Sequence, residues 1–132
     1  MSTKYPAGLL SLSPDELRQN LSRFSGTEHY YRTHPGVLAT DGAKYLADQA
    51  GAYWLLDIIW SVLPSITDEF AVLELEVDVK TRRAVVVIHD GREPKTTFHQ
   101  QEVMYTDFPL EGVKLYIQQN GGERVLMLPG EY

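Results

Sequence analysis

The chain has 132 residues, with Lys+Arg 12 against Asp+Glu 18, a formal net charge of −6 and a pI near 5.1. That length suits one domain, and the acidic balance argues against direct nucleic-acid binding and against docking on anionic lipid, both of which draw on a surplus of Lys and Arg. The cysteine count of 0 excludes disulfides, thiolate nucleophiles and Cys-based zinc or iron–sulfur sites, and agrees with a reducing compartment.

Residues 1–12 are expected to form a loosely held arm, anchored through Leu9, Leu10 and Leu12. The start, Met1-Ser2-Thr3-Lys4-Tyr5-Pro6, lacks an apolar signal core, and no apolar run reaches the roughly 20 residues of a bilayer crossing, so a cytoplasmic protein with no membrane span is expected. A helix start follows. Ser13 suits the N-cap, Pro14 the first helical position, and Glu16 completes a capping box with Ser13. Leu17, Leu21 and Phe24 supply an apolar stripe, and Gly26 is the expected stop. Residues 27–39 read as irregular, with a turn at Pro35-Gly36. Thr40 is the next cap, with Asp41 at the positive end of the helix dipole. Gly51 either caps this helix, breaking or bending the run, or sits at a tight contact inside one long helix reaching Leu63; the break or bend is the favoured expectation. The stretch Ala52 to Leu63 is apolar almost all round and carries both tryptophans, which predicts the spine of the core. Pro64 stops it.

From Leu73 the period changes to two. Leu73, Leu75, Val77 and Val79 alternate with Glu74, Glu76 and Asp78, the pattern of a half-exposed strand. Ala84 to His89 predicts a more buried strand, Lys95 to Tyr105 a third, and Val113–Gln118 with Arg124–Leu128 a hairpin around Asn120-Gly121-Gly122. The expected fold is therefore α+β and a single domain over 1–132. It has a helical half (13–63) and a sheet half (70–128), in which two or three N-terminal helices pack on one face of an antiparallel meander of about five strands.

Four groups of residues carry candidate chemistry. Asp57 stands alone among apolar neighbours and shares a helix face with Tyr53 and Ser61. It is either a buried acid with a raised pKa, or part of a polar stripe reaching solvent, tied to Lys44, an Arg or a backbone amide. The His29 to His34 segment gathers two histidines, Tyr30, Tyr31 and Arg32, a composition suited to an anionic or aromatic ligand. As a metal site it would need Asp41, His89 or His99 as further ligands, and no His-Glu-x-x-His pair exists. Asp107 lies in the compact loop Tyr105 to Leu110, where it could close an Asx-type turn while Phe108 and Leu110 plug the sheet end. Glu74, Glu76 and Asp78 line one strand face and could present carboxylates to a basic partner, although solvated strand faces often look the same. No phosphate loop, dinucleotide fingerprint or nucleophile elbow occurs, and neither a cofactor nor a metal is expected.

Thr27-Glu28-His29-Tyr30-Tyr31-Arg32, Thr40 to Ala47, Ala50 to Asp57 and Tyr105 to Leu110 together resemble an uncharacterised family of small bacterial proteins classed as a domain of unknown function. The resemblance covers most of the chain and implies an origin in a bacterium or a mobile element such as a phage or plasmid. It implies no activity, and no functional residue is carried over with it. The leading expectation is a non-catalytic interaction or accessory protein whose Glu74-Glu76-Asp78 face docks on a basic protein partner. The alternative is a ligand-binding or hydrolytic protein with Tyr31, His34 and Asp107 lining one site. A homodimer through an uncovered sheet face or edge is compatible with either.

Overall fold

The computed structural model describes residues 12–132. The first elements are α1 (Pro14–Leu21), a hairpin of β1 (Tyr30–His34) and β2 (Val37–Thr40), then α2 (Asp41–Ala50) and α3 (Tyr53–Val62). A short 3-10 turn (Leu63–Ser65) leads to β3 (Phe70–Asp78), β4 (Arg83–His89), β5 (Thr97–Val103), β6 (Gly112–Asn120) and β7 (Glu123–Met127), and a second 3-10 turn covers Pro129–Glu131. Leu9 and Leu10, expected to anchor an N-terminal arm, lie outside the described residues; Leu12 packs against the core.

Local signals place the helix ends. Ser13 and Glu16 form the reciprocal capping box, with Pro14 at the first turn. The helix stops at Leu21, before Gly26: Ser22 takes the C-cap, its N–H donating to the Arg18 carbonyl, and the Arg23 N–H turns to the Asn20 carbonyl. Thr40 caps α2. Gly51 ends that helix in the left-handed region at φ 60°, so α2 and α3 are separate helices.

The expected five-stranded antiparallel meander is overturned. One seven-stranded mixed sheet runs in the order β1-β2-β7-β6-β3-β4-β5, with β2 parallel to β7 and every other pair antiparallel. The extra strands come from residues 30–40, expected to be irregular. Tyr30-Tyr31-Arg32-Thr33 and Val37-Leu38-Ala39-Thr40 flank Pro35-Gly36, whose glycine takes φ 78°, and the pair closes into a hairpin before α2. The helices are therefore not a block ahead of the sheet. Strand pairing with β7, more than eighty residues away, decides this conformation more than local pattern does.

The helices cover one face. Ala71, Leu73, Leu75 and Val77 on β3 face Ala84, Val86 and Ile88 on β4 and Leu115 and Ile117 on β6. All are buried in one cluster with Leu46, Ala47, Leu55, Leu56 and Ile59 of the helices. One side of α3, Leu55, Leu56, Ile59 and Val62, is core, with Trp54 packed at the margin, whereas Tyr53 and Trp60, expected inside from the apolar run, are partly exposed. Phe108 and Leu110 are buried and close the far end of the sheet. Burial at this level contributes roughly 1.5–3 kcal/mol for each large side chain. On the other sheet face Tyr132 packs edge-on against Phe70 and Tyr116. Among the described residues no helix is long and apolar enough to cross a membrane.

The N-terminus of α2 is satisfied by side chains from three segments. The Asp41 N–H donates to Thr27 Oγ1 (2.8 Å), Gly42 to Glu131 Oε2 (2.9 Å) and Ala43 to Thr40 Oγ1 (3.2 Å). Glu131 Oε1 also accepts from the Thr40 hydroxyl (2.6 Å) and the Leu128 N–H (2.9 Å). A carboxylate at the positive end of a helix is favourable in itself. The fit leaves no room at Gly42, where a Cβ would sit 2.5 Å from Glu131 Oε1 and 2.7 Å from Leu128 Cδ1.

Glu131→Ala should therefore cost about 2 kcal/mol in urea unfolding, since charged hydrogen bonds are lost and backbone donors are orphaned. Gly42→Ala should also destabilise, by about 1–3 kcal/mol, although alanine ordinarily favours a helix. The two losses should be sub-additive in the double variant, because the contact with the Glu131 carboxylate is common to both while the contact with Leu128 remains.

Candidate functional site

The Pro35-Gly36 turn, the end of α3, the first 3-10 turn and the start of β7 enclose a cleft of about 500 Å³ lined by Pro35, Gly36, Val37, Trp60, Ser61, Leu63, Pro64 and Arg124. That volume is in the range of small-molecule sites. Three features of the local sequence build it.

The first is a bulge in β1. Arg32 pairs with Leu38 and His34 with Val37, so Thr33 is the extra residue. Regular alternation would put His34 on the face of Arg32, away from the helices. The bulge turns it to the helix side, where Val37 is buried. The second is the exposed face of α3. Tyr53, Asp57, Trp60 and Ser61 fall on one side of the helix and are the exposed residues of its length. Asp57 and Trp60 both reach His34. The His34 Nε2–H donates to Asp57 Oδ1 (2.7 Å), and the imidazole stacks on the Trp60 ring with centroids 5.3 Å apart and planes at 26°. The Trp60 indole N–H donates to Pro35 O (3.2 Å). Trp60 remains 44% exposed yet is held on its edge and on one face. Asp57, with a side chain 70% exposed, is no buried acid. It is the solvent-reaching stripe, tied to a histidine rather than to Lys44 or an Arg.

The third is Arg124. It pairs with Val37 on one side and Gln119 on the other, two residues before the fully buried Leu126, so it sits on the helix-covered face of β7. Its Nη2–H donates to Ile66 O (2.8 Å), while Nη1 is shielded from water and has no acceptor among the described residues. Sequence reasoning missed this residue. The alternation Arg124, Leu126, Leu128 within a predicted strand was the available signal, because it aims a guanidinium toward the core.

Of the residues singled out in sequence, His34 adjoins the cleft. Tyr31 lies on the same side of β1, but its hydroxyl donates to Asp41 Oδ1 (2.9 Å), and that bond holds the phenol above its usual pKa. Asp41 is held below the usual carboxylate range, first by the Glu28 N–H. Lys44 sits over the Tyr31 and Tyr53 rings and pairs with Asp48, which also accepts from Tyr53. Asp107 is not brought to this group. Its loop returns at Gly112, seven residues of β6 before Gln119, which at about 3.3 Å per residue is some 23 Å along the sheet. There Thr106, not Asp107, closes the turn by accepting the Phe108 N–H, and Arg82 donates to the Thr106 and Phe108 carbonyls.

The acidic row of β3 faces away from the helices, but its members differ. Glu74 lies opposite Lys114, accepts from His89 Nε2 (2.5 Å) and is 3.6 Å from Lys95. Asp78 accepts the Lys80 and Thr81 N–H groups in the β3–β4 turn. Glu76 is exposed. Among the described residues no three His, Cys, Asp or Glu side chains converge as metal ligands.

His89 bonding, with Lys114 and Lys95 nearby, holds Glu74 below the usual carboxylate range. A depressed folded-state pKa contributes stability that is full above the unfolded value near 4.5 and is lost as pH falls through the folded value. Glu74→Gln should therefore lower stability at neutral pH by about 1–2 kcal/mol and flatten the acid limb of a melting-temperature profile below pH of about 4.5, wild type and variant converging once pH has fallen through the folded value.

No curated protein and no solved structure matches the chain. A family model does match, over residues 15–132, so that α1, the hairpin, the cleft and Glu131 all lie within it. The chain belongs to DUF6876, a family of unknown function.

Proposed function

We propose that this is a small-molecule-binding protein whose site is the cleft between the Pro35-Gly36 turn and the end of α3. The observation that carries the reading is Trp60. A large aromatic side chain left 44% exposed ordinarily gains from moving freely or from burial. Here the Pro35 carbonyl fixes its edge and His34, itself anchored by Asp57, fixes one face, so that a rigid apolar wall stands beside a cleft of about 500 Å³. Pre-set aromatic walls reduce the ordering cost of binding.

The polar groups at the cleft favour binding over bond-making. Both His34 nitrogens have partners, Asp57 and Thr33, and the Ser61 hydroxyl donates to Ile58 O. Of the ligand site expected from sequence this reading keeps His34, places Tyr31 as support for β1 through Asp41, and leaves out Asp107. Docking of the β3 acidic face on a basic partner, as for an accessory factor of a bacterial mobile element, has less support, because Glu74 and Asp78 are already engaged within the chain.

Thermal unfolding across a panel of aromatic and aliphatic compounds of anionic, neutral and cationic charge tests the reading. At least one class should raise the melting temperature of the wild type, by the equivalent of about 2.7 kcal/mol at a hundredfold excess over Kd. Trp60→Ala, which loses the Pro35 hydrogen bond and the His34 stack and should fold at a cost of about 1–3 kcal/mol, should abolish the rise. A panel with no stabilising member, or an equal rise in Trp60→Ala, overturns the assignment.

A further inference from the structure

We infer that the cleft selects organic acids: a carboxylate meets the guanidinium of Arg124 while a flat apolar body lies against Trp60, Leu63 and Pro64. This rests on the cleft being a binding site and adds the chemical class of its ligand.

Among the described residues, Arg124 is the one charged residue lining the cleft. In a chain with 18 acidic residues it has no carboxylate at ion-pair distance among the described residues. The carboxylates that flank it are directed elsewhere. Glu123, its neighbour in the strand, points to the opposite face and pairs with Arg32 at 2.5 Å. Asp57, on α3, is held by His34 at 2.7 Å. The guanidinium is left with one neutral acceptor, Ile66 O, and with Nη1 unpartnered away from water. A half-buried arginine in that state carries both an uncompensated charge and an unmade hydrogen bond.

Its backbone cannot relieve this. The Arg124 N–H donates to Gly36 O (2.9 Å), and strand pairing to Val37 and Gln119 fixes the side chain on the helix-covered face. The surroundings are otherwise apolar: Pro35, Val37, Trp60, Leu63 and Pro64. In such a setting an anion gains from the lowered local dielectric, while the half-exposed guanidinium leaves that attraction open to salt, and a planar carboxylate matches the planar fork of donors. The delocalised charge acts along the whole guanidinium, so the ligand need not reach Nη1 to benefit. Ammonium groups are disfavoured by the same charge, and a neutral amide gains only an ordinary hydrogen bond.

The test is isothermal titration of the full chain with matched compounds that share a body and differ in the head group: benzoate and benzamide, phenylacetate and phenylacetamide, naphthoate and naphthamide, with naphthylmethylammonium as the cationic member. In at least one pair the acid should bind about tenfold more tightly than its amide, and naphthylmethylammonium should bind more weakly than naphthamide. Arg124→Met, which keeps the apolar stem, should bring acid and amide within about twofold of each other. Because Arg124 also holds Ile66 O, a second measurement needs no variant. Raising ionic strength from about 0.02 M to about 0.2 M should weaken the acid and leave the amide unchanged. Amides that bind as well as acids, with both dependent on Trp60, overturn the acid preference and leave the binding site standing. An acid preference that survives in folded Arg124→Met, or that is indifferent to salt, also overturns it. No binding by any compound removes the preference and the site together.

Discussion

A single carboxylate ties the two ends of this fold together. Glu131 accepts the Gly42 N–H, the Leu128 N–H and the Thr40 hydroxyl. It thereby joins the start of α2, the end of β2 and the segment after β7. The parallel pairing of β2 with β7 runs directly into this junction, with Ala39 opposite Leu126. Parallel strands require a long crossover, and here the crossover is most of the protein. Without the carboxylate, the positive end of α2 and two backbone donors would face an unfilled site. The hairpin β1–β2 would then be joined to the sheet by three register pairs, the Arg32–Glu123 ion pair and the burial of Val37 and Ala39. The constraint also explains why a glycine occupies the second position of α2, where a helix would ordinarily gain from alanine.

The cleft is a product of the same junction. One wall belongs to the hairpin and to α3, the other to β7, and they face each other only because β2 lies beside β7. The bulge at Thr33 and the exposed face of α3 then assemble His34, Asp57 and Trp60 into a stack that leaves one aromatic surface open. The sheet contributes the charge, since Arg124 occupies a position that period-two alternation reserves for the core. Placing a cation there lowers stability unless something compensates for it. Strained or unsatisfied groups of this kind concentrate where proteins bind other molecules.

Local chemistry was legible in the sequence and non-local pairing was not. Ser13, Pro14 and Glu16 marked the start of α1 because a capping box is complete within four residues. Thr40 and Gly51 bounded α2 for the same reason. The alternation from Leu73 to Asp78 marked β3 and the turn after it led to β4, but the pairing of β3 with β6, which a consecutive meander would place beside β5, was not legible. Residues 30–40 resisted because Thr33 interrupts the alternation and because the partner of β2 is β7, far along the chain. The helix face shared by Tyr53, Asp57 and Ser61 was readable by spacing, but the partner of Asp57 was not, since His34 reaches it only through the bulge. In the Asp107 loop the turn chemistry was anticipated and attached to the wrong residue. Thr106, buried and one position earlier, performs it.

The separation between β2 and β7 has a kinetic consequence. β3, β4 and β5 are joined by short connections and their registers close small loops, whereas the meeting of Val37 with Arg124 closes a loop of more than eighty residues. Loop-closure entropy delays such contacts relative to local ones. The meander can therefore order itself while the hairpin and β7 are still apart, and at that stage Trp60 and Arg124 have no common cavity. The same interface is the natural place for partial opening in the folded molecule. Anything seated between the two walls would slow that opening, so hydrogen exchange at the β2–β7 amides reports directly on occupancy.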